Sequence, residues 1–519
     1  MPPRVLLWLV LLALLIAGTT VYLVRRERPA VTPSDFSSPA GTGATVPAGE
    51  AAIHSFCSAC HAFPPPAILA RDSWKPRVES MYAMLGYTKD EPPKNFPPAA
   101  DCIEYFTARA PERLPPAPSS VPDGPGSLRF ERVPLKLRDL RPFPGVANVR
   151  FVHLLDDRRF DLLICEMRFG MVLLQRPYAE SDRIRLLGRV PHPVHAAVTD
   201  LDGDGLRDVL VADLGTVTPS DATNASVVWL QGKKDGSFAP VPLAAGLPRV
   251  ADAESADFDG DGDQDVVVAA FGWRKVGEIL LLDNRTTPAG PPAFESRVLD
   301  PRPGAIHVPV ADLNGDARPD FVALIAQQFE TVVAFLNAGG GAFEKQTLFT
   351  AEHPNWGSSG IELTDFDGDG DLDVLLANGD TLDDLVLKPY HGITLLENRG
   401  GYPFLPRRLT DMCGVHYAKA ADLDLDGDLD VAASSFLPYL KPTTPGAELA
   451  DAIAWLEQTA PARFRRWSLE ATTCVHPTLD AADFDADGDP DLAAGNMTMA
   501  KGATDTIEYS GLILRNLAK

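Results

Sequence analysis

Two kinds of residue are scarce in this chain of 519 residues. Cysteine occurs six times, too thinly for a disulfide-built scaffold. Basic side chains number 47 against 71 acidic ones, leaving a formal net charge of −24. Nucleic-acid binders draw affinity from lysines and arginines that neutralise phosphate, so the balance argues against that class of partner. Catalytic signatures are missing too: there is no G-x-S-x-G, no H-E-x-x-H and no phosphate-cradling glycine loop. What remains is a globular composition, 45% hydrophobic and 23% charged, with length for two to four domains. The acid is unevenly spread, and its distribution carries most of the information.

Val5 to Val24 is an apolar run of twenty residues without a charge, long enough at ~1.5 Å per residue to cross ~30 Å of hydrocarbon. Residues 1–28 therefore read as a transmembrane signal anchor. A cleaved signal peptide has a shorter apolar core and a small-x-small site, of which Ala17-Gly18-Thr19 is a poor version. Arg25, Arg26 and Arg28 would favour a cytoplasmic side after the span. The next motif argues the reverse, and it decides the orientation.

Cys57-Ser58-Ala59-Cys60-His61 is a C-x-x-C-H sequence. In this pattern two thiols form thioethers to haem and the histidine becomes an axial iron ligand. Zinc would want two more Cys or His ligands at short spacing, and only Cys102 is near. A redox pair would want a βαβ context, whereas Pro64, Pro65 and Pro66 follow here. Haem c is attached outside the cytoplasm, so the expected location is a bacterial inner membrane with the bulk of the chain facing the periplasm. Residues 48–112 resemble a small class I cytochrome c domain, opening on the motif and closing on a helix-like Ala99–Ala110. That resemblance implies a methionine as sixth iron ligand, for which Met81 stands first and Met84 second. Proline-, serine- and glycine-rich linkers, 29–47 and 113–126, flank this domain.

From Ser127 onward the chain repeats. Asp200, Asp202, Asp204 and Asp208 occupy positions 1, 3, 5 and 9 of a turn. The spacing recurs at Asp257, Asp259, Asp261 and Asp265, then at Asp312, Asn314, Asp316 and Asp320. It returns at Asp365, Asp367, Asp369 and Asp373, at Asp422, Asp424, Asp426 and Asp430, and at Asp483, Asp485, Asp487 and Asp491. Four oxygens on a tight turn suit a hard cation, as in the first half of an EF-hand loop. Each loop runs into a β-branched stretch such as Val266-Val267-Val268, which reads as strand where an EF-hand would have helix. About six calcium ions are expected. A seventh copy at Asp157 and Asp161 keeps only positions 5 and 9, and no metal is expected there.

These motifs, with their Asp-Phe-Asp-Gly-Asp-Gly-Asp-Leu-Asp core, resemble the FG-GAP/VCBS repeats of integrin-like propellers over residues 127–519. Seven repeats of roughly 47 to 61 residues, each with four strand-sized segments, predict a mostly all-β, seven-bladed β-propeller. The last repeat lacks its final segment, and residues 127–135 match the missing piece, so this strand is expected to complete the last blade.

In the resembling propellers the acidic loop joins the first two strands on one face, which puts the other connections on the opposite face. There the sequence collects His195, His307, His353, His416 and His476, with His391, Lys388 and Asp380 in one long insertion. Six of the ten histidines are thus expected around one mouth of the channel, as a ligand or metal site or as polar loop residues bonded to backbone. Cys413 and Cys474 fall nine positions before their loops on adjacent repeats. A disulfide is the first reading and a Cys/His metal site the second.

The leading expectation is a membrane-anchored, extracytoplasmic c-type cytochrome, engaged in electron transfer, with a propeller that binds a redox partner protein or a small-molecule or glycan ligand. A haem-linked oxidoreductase with its substrate site on the propeller is one alternative. A carbohydrate-binding or adhesion propeller with an accessory haem is the other.

Overall fold

The computed structural model describes residues 48–85, 96–115, 128–137, 144–155, 158–176, 184–287, 290–382, 385–439, 450–471, 474–499 and 509–518. The predicted anchor at Val5–Val24 lies outside these residues. No helix among the described residues is long and apolar enough to cross a membrane.

The fold is mostly β: seven antiparallel sheets follow one another along the chain, forming a seven-bladed propeller. Each blade runs outward from an inner strand: Val146–Val152, Pro193–Thr199, Val250–Ala256, Ala305–His307, Ser358–Thr364, Val415–Ala421 and Leu479–Ala482 in blades 1 to 7. In blade 4 the inner strand is split around Pro309, and Val310–Ala311 continues it. The outer position of blade 7 is filled by Phe130–Leu135, antiparallel to Gly511–Asn516. That pairing leaves the ring without an open seam.

Strand burial explains the sequence pattern. The second strand of blade 3, Asp265–Ala270, is buried along its whole length, as are its counterparts Asp208–Asp213, Asp320–Ile325, Asp373–Asn378 and Asp430–Ser435. Both faces pack against neighbouring blades, so these runs are continuously apolar rather than alternating. Val266, Val267 and Val268 are fully buried, each contributing ~1.5–3 kcal/mol relative to exposure. Outer strands such as Phe294–Asp300 are partly exposed and carry the charge.

Among the described residues three α-helices precede the propeller: α1 (Ala48–Cys57), α2 (Arg71–Met84) and α3 (Ala99–Arg109). They close on a small core in which Trp74 and Phe106 stack with ring centroids 4.0 Å apart. Ile53, Leu69, Val78 and Cys102 fill around them. Tyr390 of blade 5 packs against this helical core. Its hydroxyl lies 3.5 Å from the Ile68 carbonyl oxygen.

Candidate functional site

The inner strands set the chemistry of the channel by register. Counting back five residues from the start of each Asp loop gives Asn148, His195, Asp252, His307, Gly360, Tyr417 and Thr478 in blades 1 to 7. Counting back three gives Arg150, Ala197, Glu254, Pro309, Glu362, Lys419 and Asp480. Side chains two apart on a strand share a face, so these positions form two stacked layers around the axis. All but Ala197 and Gly360 border a cavity of about 250 Å³, whose charged lining is Arg150, Asp252, Glu254, Glu362, Lys419 and Asp480. In six of the inner strands a β-bulge falls one residue before the upper layer. The bulged residues, His416 among them, border a second cavity of about 360 Å³ at the mouth. His195, His307 and Tyr417 belong to both cavities.

The lower layer is a belt of paired charges. Arg150 Nη1 lies 3.2 Å from Glu254, and Lys419 Nζ lies 3.1 Å from Glu362 and 3.4 Å from Asp480. Burial alone would drive Arg150 and Lys419 toward neutrality, but the surrounding carboxylates outweigh it and raise both. Burial pushes Glu254 and Glu362 upward, opposed by those same cations. Above them, burial also acts to raise Asp252, yet the imidazoles of His195 and His307 hold it well below the usual carboxylate range. His195 Nδ1 is 2.5 Å from Asp252 Oδ1, and His307 Nδ1 is 3.6 Å from Oδ2.

The mouth cavity brings together His195, His307, His416, Asp380 and Lys388 from the sequence prediction, and adds Arg249 and Glu330. Burial lowers His416 to about 4, with its Nδ1 2.8 Å from the Pro477 carbonyl oxygen. Burial raises Glu330 to about 8 although it accepts backbone N–H bonds from Gly357 and Ser358. Glu330, Lys388 and His416 line the same cavity, and a carboxyl raised by burial in such a lining is suited to proton transfer.

Three of the predicted histidines are committed to packing. His353 sits edge-on to Tyr390 at 4.7 Å and is lowered to about 4, by burial first and then by the charge of Lys388. His391 is 1% exposed and lies well below the ordinary imidazole value for the same reasons. His476 turns into its blade, between the Gly495 carbonyl oxygen and Glu470. Cys413 and Cys474 are free thiols. Burial raises them to about 11 and about 12, and the charge of Cys413 contributes to the shift at Cys474.

The six Asp loops share one backbone. Positions 4 and 6 have positive φ in every copy, filled by glycine except at Ala317 (63°), Leu425 (63°) and Ala486 (62°). The position-1 carboxylate accepts the N–H of residue 6, as Asp200 does from Gly205 at 3.0 Å and Asp422 from Gly427 at 3.1 Å. Position 9 is an anchor. Asp208 takes the Leu201 N–H at 2.9 Å and reaches across to the Gly232 N–H at 2.7 Å; Asp265, Asp320, Asp373 and Asp491 repeat both bonds. Carboxylate oxygens converge within 4.8 Å in the sets Asp200/Asp202/Asp204, Asp257/Asp259/Asp265, Asp365/Asp367/Asp369 and Asp422/Asp424/Asp426. Buried oxygens of Asp200, Asp365, Asp424 and Asp485 have no hydrogen-bond partner. In the degenerate copy Asp161 keeps its anchoring role, with the Leu155 N–H at 3.3 Å and Arg176 Nε at 3.3 Å.

In the helical segment Cys57 ends α1, Cys60 is exposed, and His61 Nδ1 lies 2.7 Å from the Ala62 carbonyl oxygen. A carbonyl only accepts, so Nδ1 carries the proton and Nε2 keeps its lone pair. Cys57 is turned into the helical core, where its hydrogen bond with Cys102 raises it and lowers Cys102 to about 7. Met81 and Met84 fall in the last turn of α2, Met84 being 40% exposed.

Sequence reasoning picked out the histidines and missed Asp252, Glu254, Arg150, Glu362, Lys419 and Asp480. The signal was present as a polar residue five positions before six of the seven loop starts, Gly360 being the exception, and a charged one three positions before five of them.

Residues 200–268 and 312–376 match the FG-GAP-like repeat, so the chain carries FG-GAP-like repeats within its propeller. No curated protein matches the chain. Among solved structures it is similar to virginiamycin B lyase from Staphylococcus aureus, at 11% identity and a TM-score of 0.44 over 75% of this chain and 99% of that one. It is also similar to BBS1N in complex with ARL6DN, at 10% identity and a TM-score of 0.43 over 76% of this chain and 98% of the other.

Proposed function

We propose that this is an exported c-type cytochrome whose calcium-stabilised propeller binds a ligand at the channel mouth. The observation that carries the haem reading is the C-x-x-C-H sequence at the end of α1, with His61 Nδ1 engaged by the Ala62 carbonyl oxygen at 2.7 Å. That donor set fits haem c: Cys57 and Cys60 are free thiols for attachment, and His61 Nε2 is left to bind iron. Met81, or Met84 after it, is the candidate sixth ligand. Haem would supply one-electron chemistry, with Cys57 buried in the helical core and Cys60 exposed at its edge. Residues 1–28 would anchor the protein in a bacterial inner membrane, facing the periplasm, where a redox partner protein or a small-molecule or glycan ligand would meet it.

Calcium is proposed for the six loops because they share one backbone, carboxylates converge in four of them, and buried oxygens of Asp200, Asp365, Asp424 and Asp485 lack partners. Such an arrangement is costly without a cation. A second reading, an oxidoreductase passing electrons from substrate to haem, is favoured by Tyr390. This residue packs on the helical core and touches His353 and Trp356 next to the mouth cavity.

The test is production of the full chain in a host that matures c-type cytochromes. Covalent haem and a c-type absorbance are expected, both lost in Cys60→Ala; a colourless, haem-free wild type overturns the proposal. Reduction of the haem by a substrate, lost in His416→Gln, would select the oxidoreductase reading.

A further inference from the structure

We propose that His195, Asp252, His307 and Glu254 form a binding site for a divalent transition-metal ion in the propeller channel. This site is separate from the six Asp loops and independent of the haem reading. Three consecutive blades contribute His, Asp and His from the same layer, and the middle blade adds Glu254 one step below. Ligand atoms of His195, Asp252 and Glu254 lie within 4.8 Å of one another. His307 Nδ1 joins them 3.6 Å from Asp252 Oδ2.

Two observations point to an ion rather than a hydrogen-bonded chain of side chains. His195 is 8% exposed and its Nδ1 has no hydrogen-bond partner, although Asp252 Oδ1 is 2.5 Å away. The ring nitrogen and the carboxylate oxygen converge from neighbouring blades, as two ligands of one ion would. The second is charge. With His195 and His307 neutral, as metal ligands must be, Asp252, Glu254, Glu362 and Asp480 face the channel against Arg150 and Lys419, leaving two negative charges that a dication would neutralise.

The surroundings already orient the ligands. Asp252 Oδ1 accepts the Ala253 N–H at 2.8 Å and Oδ2 the Val308 N–H at 3.0 Å, and Arg150 steadies Glu254. Outer contacts of this kind hold a metal site in shape. Two imidazoles with carboxylates select zinc, iron(II) or manganese over calcium, which prefers an all-oxygen shell. Because His195 and His307 also border the mouth cavity, an ion there would stand at its floor and polarise an oxygen donor of a bound ligand.

The test titrates cobalt(II) into the full chain with millimolar calcium present, so that the loops are saturated. We expect one cobalt per chain, with weak visible bands of nitrogen and oxygen coordination, displaced by zinc. Affinity should fall at least about tenfold in His195→Gln and in His307→Gln, each checked for an unchanged melt without cobalt. Should one variant fail to fold, the other carries the comparison. Absence of stoichiometric cobalt binding overturns the site. So does an affinity unchanged in a folded histidine variant, or a thiolate charge-transfer band that places the metal on cysteine.

Discussion

Leu135 and Gly511 are register partners across the seam of blade 7, and a Cβ built on Gly511 would fall 2.8 Å from Leu135 Cδ1 and 2.6 Å from the Ala494 carbonyl oxygen. The closing strand thus approaches its neighbour at a place where only glycine fits. Leu135 is 2% exposed, so Leu135→Ala should destabilise the propeller by ~2–5 kcal/mol through lost burial and a residual cavity. Gly511→Val should destabilise it as well, by collision with Ala494 and Leu135. Urea denaturation of both variants checks this; a midpoint unchanged in both would mean the seam contributes little.

The shared backbone of the Asp loops makes a prediction opposite in sign. Leu425 and Ala486 adopt φ of 63° and 62° where other copies have glycine. The left-handed conformation costs a side-chain-bearing residue ~1–2 kcal/mol, partly offset by the freedom glycine adds to the unfolded chain. Leu425→Gly and Ala486→Gly should therefore leave stability unchanged or raise it by up to ~1 kcal/mol. Measured in saturating calcium, a marked loss in both would refute the argument.

Calcium removal should have the largest effect of all. An ion bound only by the native state stabilises by mass action, so chelation should lower the melting temperature and calcium should restore it. Asp424→Ala should reduce the calcium-dependent part of the shift, because that carboxylate has an oxygen without a protein partner. A melt insensitive to chelator would leave the six loops as metal-free turns.

Acidity should reveal Glu330. Its folded pKa of about 8 stands above its ordinary value of 4.5 because of burial. The native state therefore holds the proton between these values while the unfolded chain releases it. Stability from this group is present below pH 4.5 and is lost as pH rises toward 8. Glu330→Gln should thus gain relative to wild type as pH increases from 5 to about 8. Denaturant midpoints across that range test the sign, and a parallel profile for both proteins would contradict it.

Much of the fold was legible because it repeats. Seven copies of one pattern predict seven blades, and the apolar runs after each loop mark strands packed on both faces. The channel was legible only in part. His195, His307 and His416 stood out as residue types, whereas Glu254 or Lys419 in an inner strand looks like any solvated charge. What separates them is register, visible only once the repeats are aligned on the first Asp of each loop. His353 and His391 misled in the other direction, since packing against Tyr390 and burial in the insertion leave no trace in local spacing. The helical segment offered a five-residue motif but no repeat, and nothing local indicated that Cys57 would meet Cys102.

Each inner strand carries two messages written on alternate residues. One set, such as Ala253 in blade 3, keeps the blades together; the other, Asp252 and Glu254, decides what the channel will hold. Because the sets interleave without overlapping, the ring can exchange its ligand chemistry one blade at a time while its scaffold stays intact. A single inserted residue would do the reverse. It would drive the channel's charges into the seams between blades and put alanine and valine on the axis.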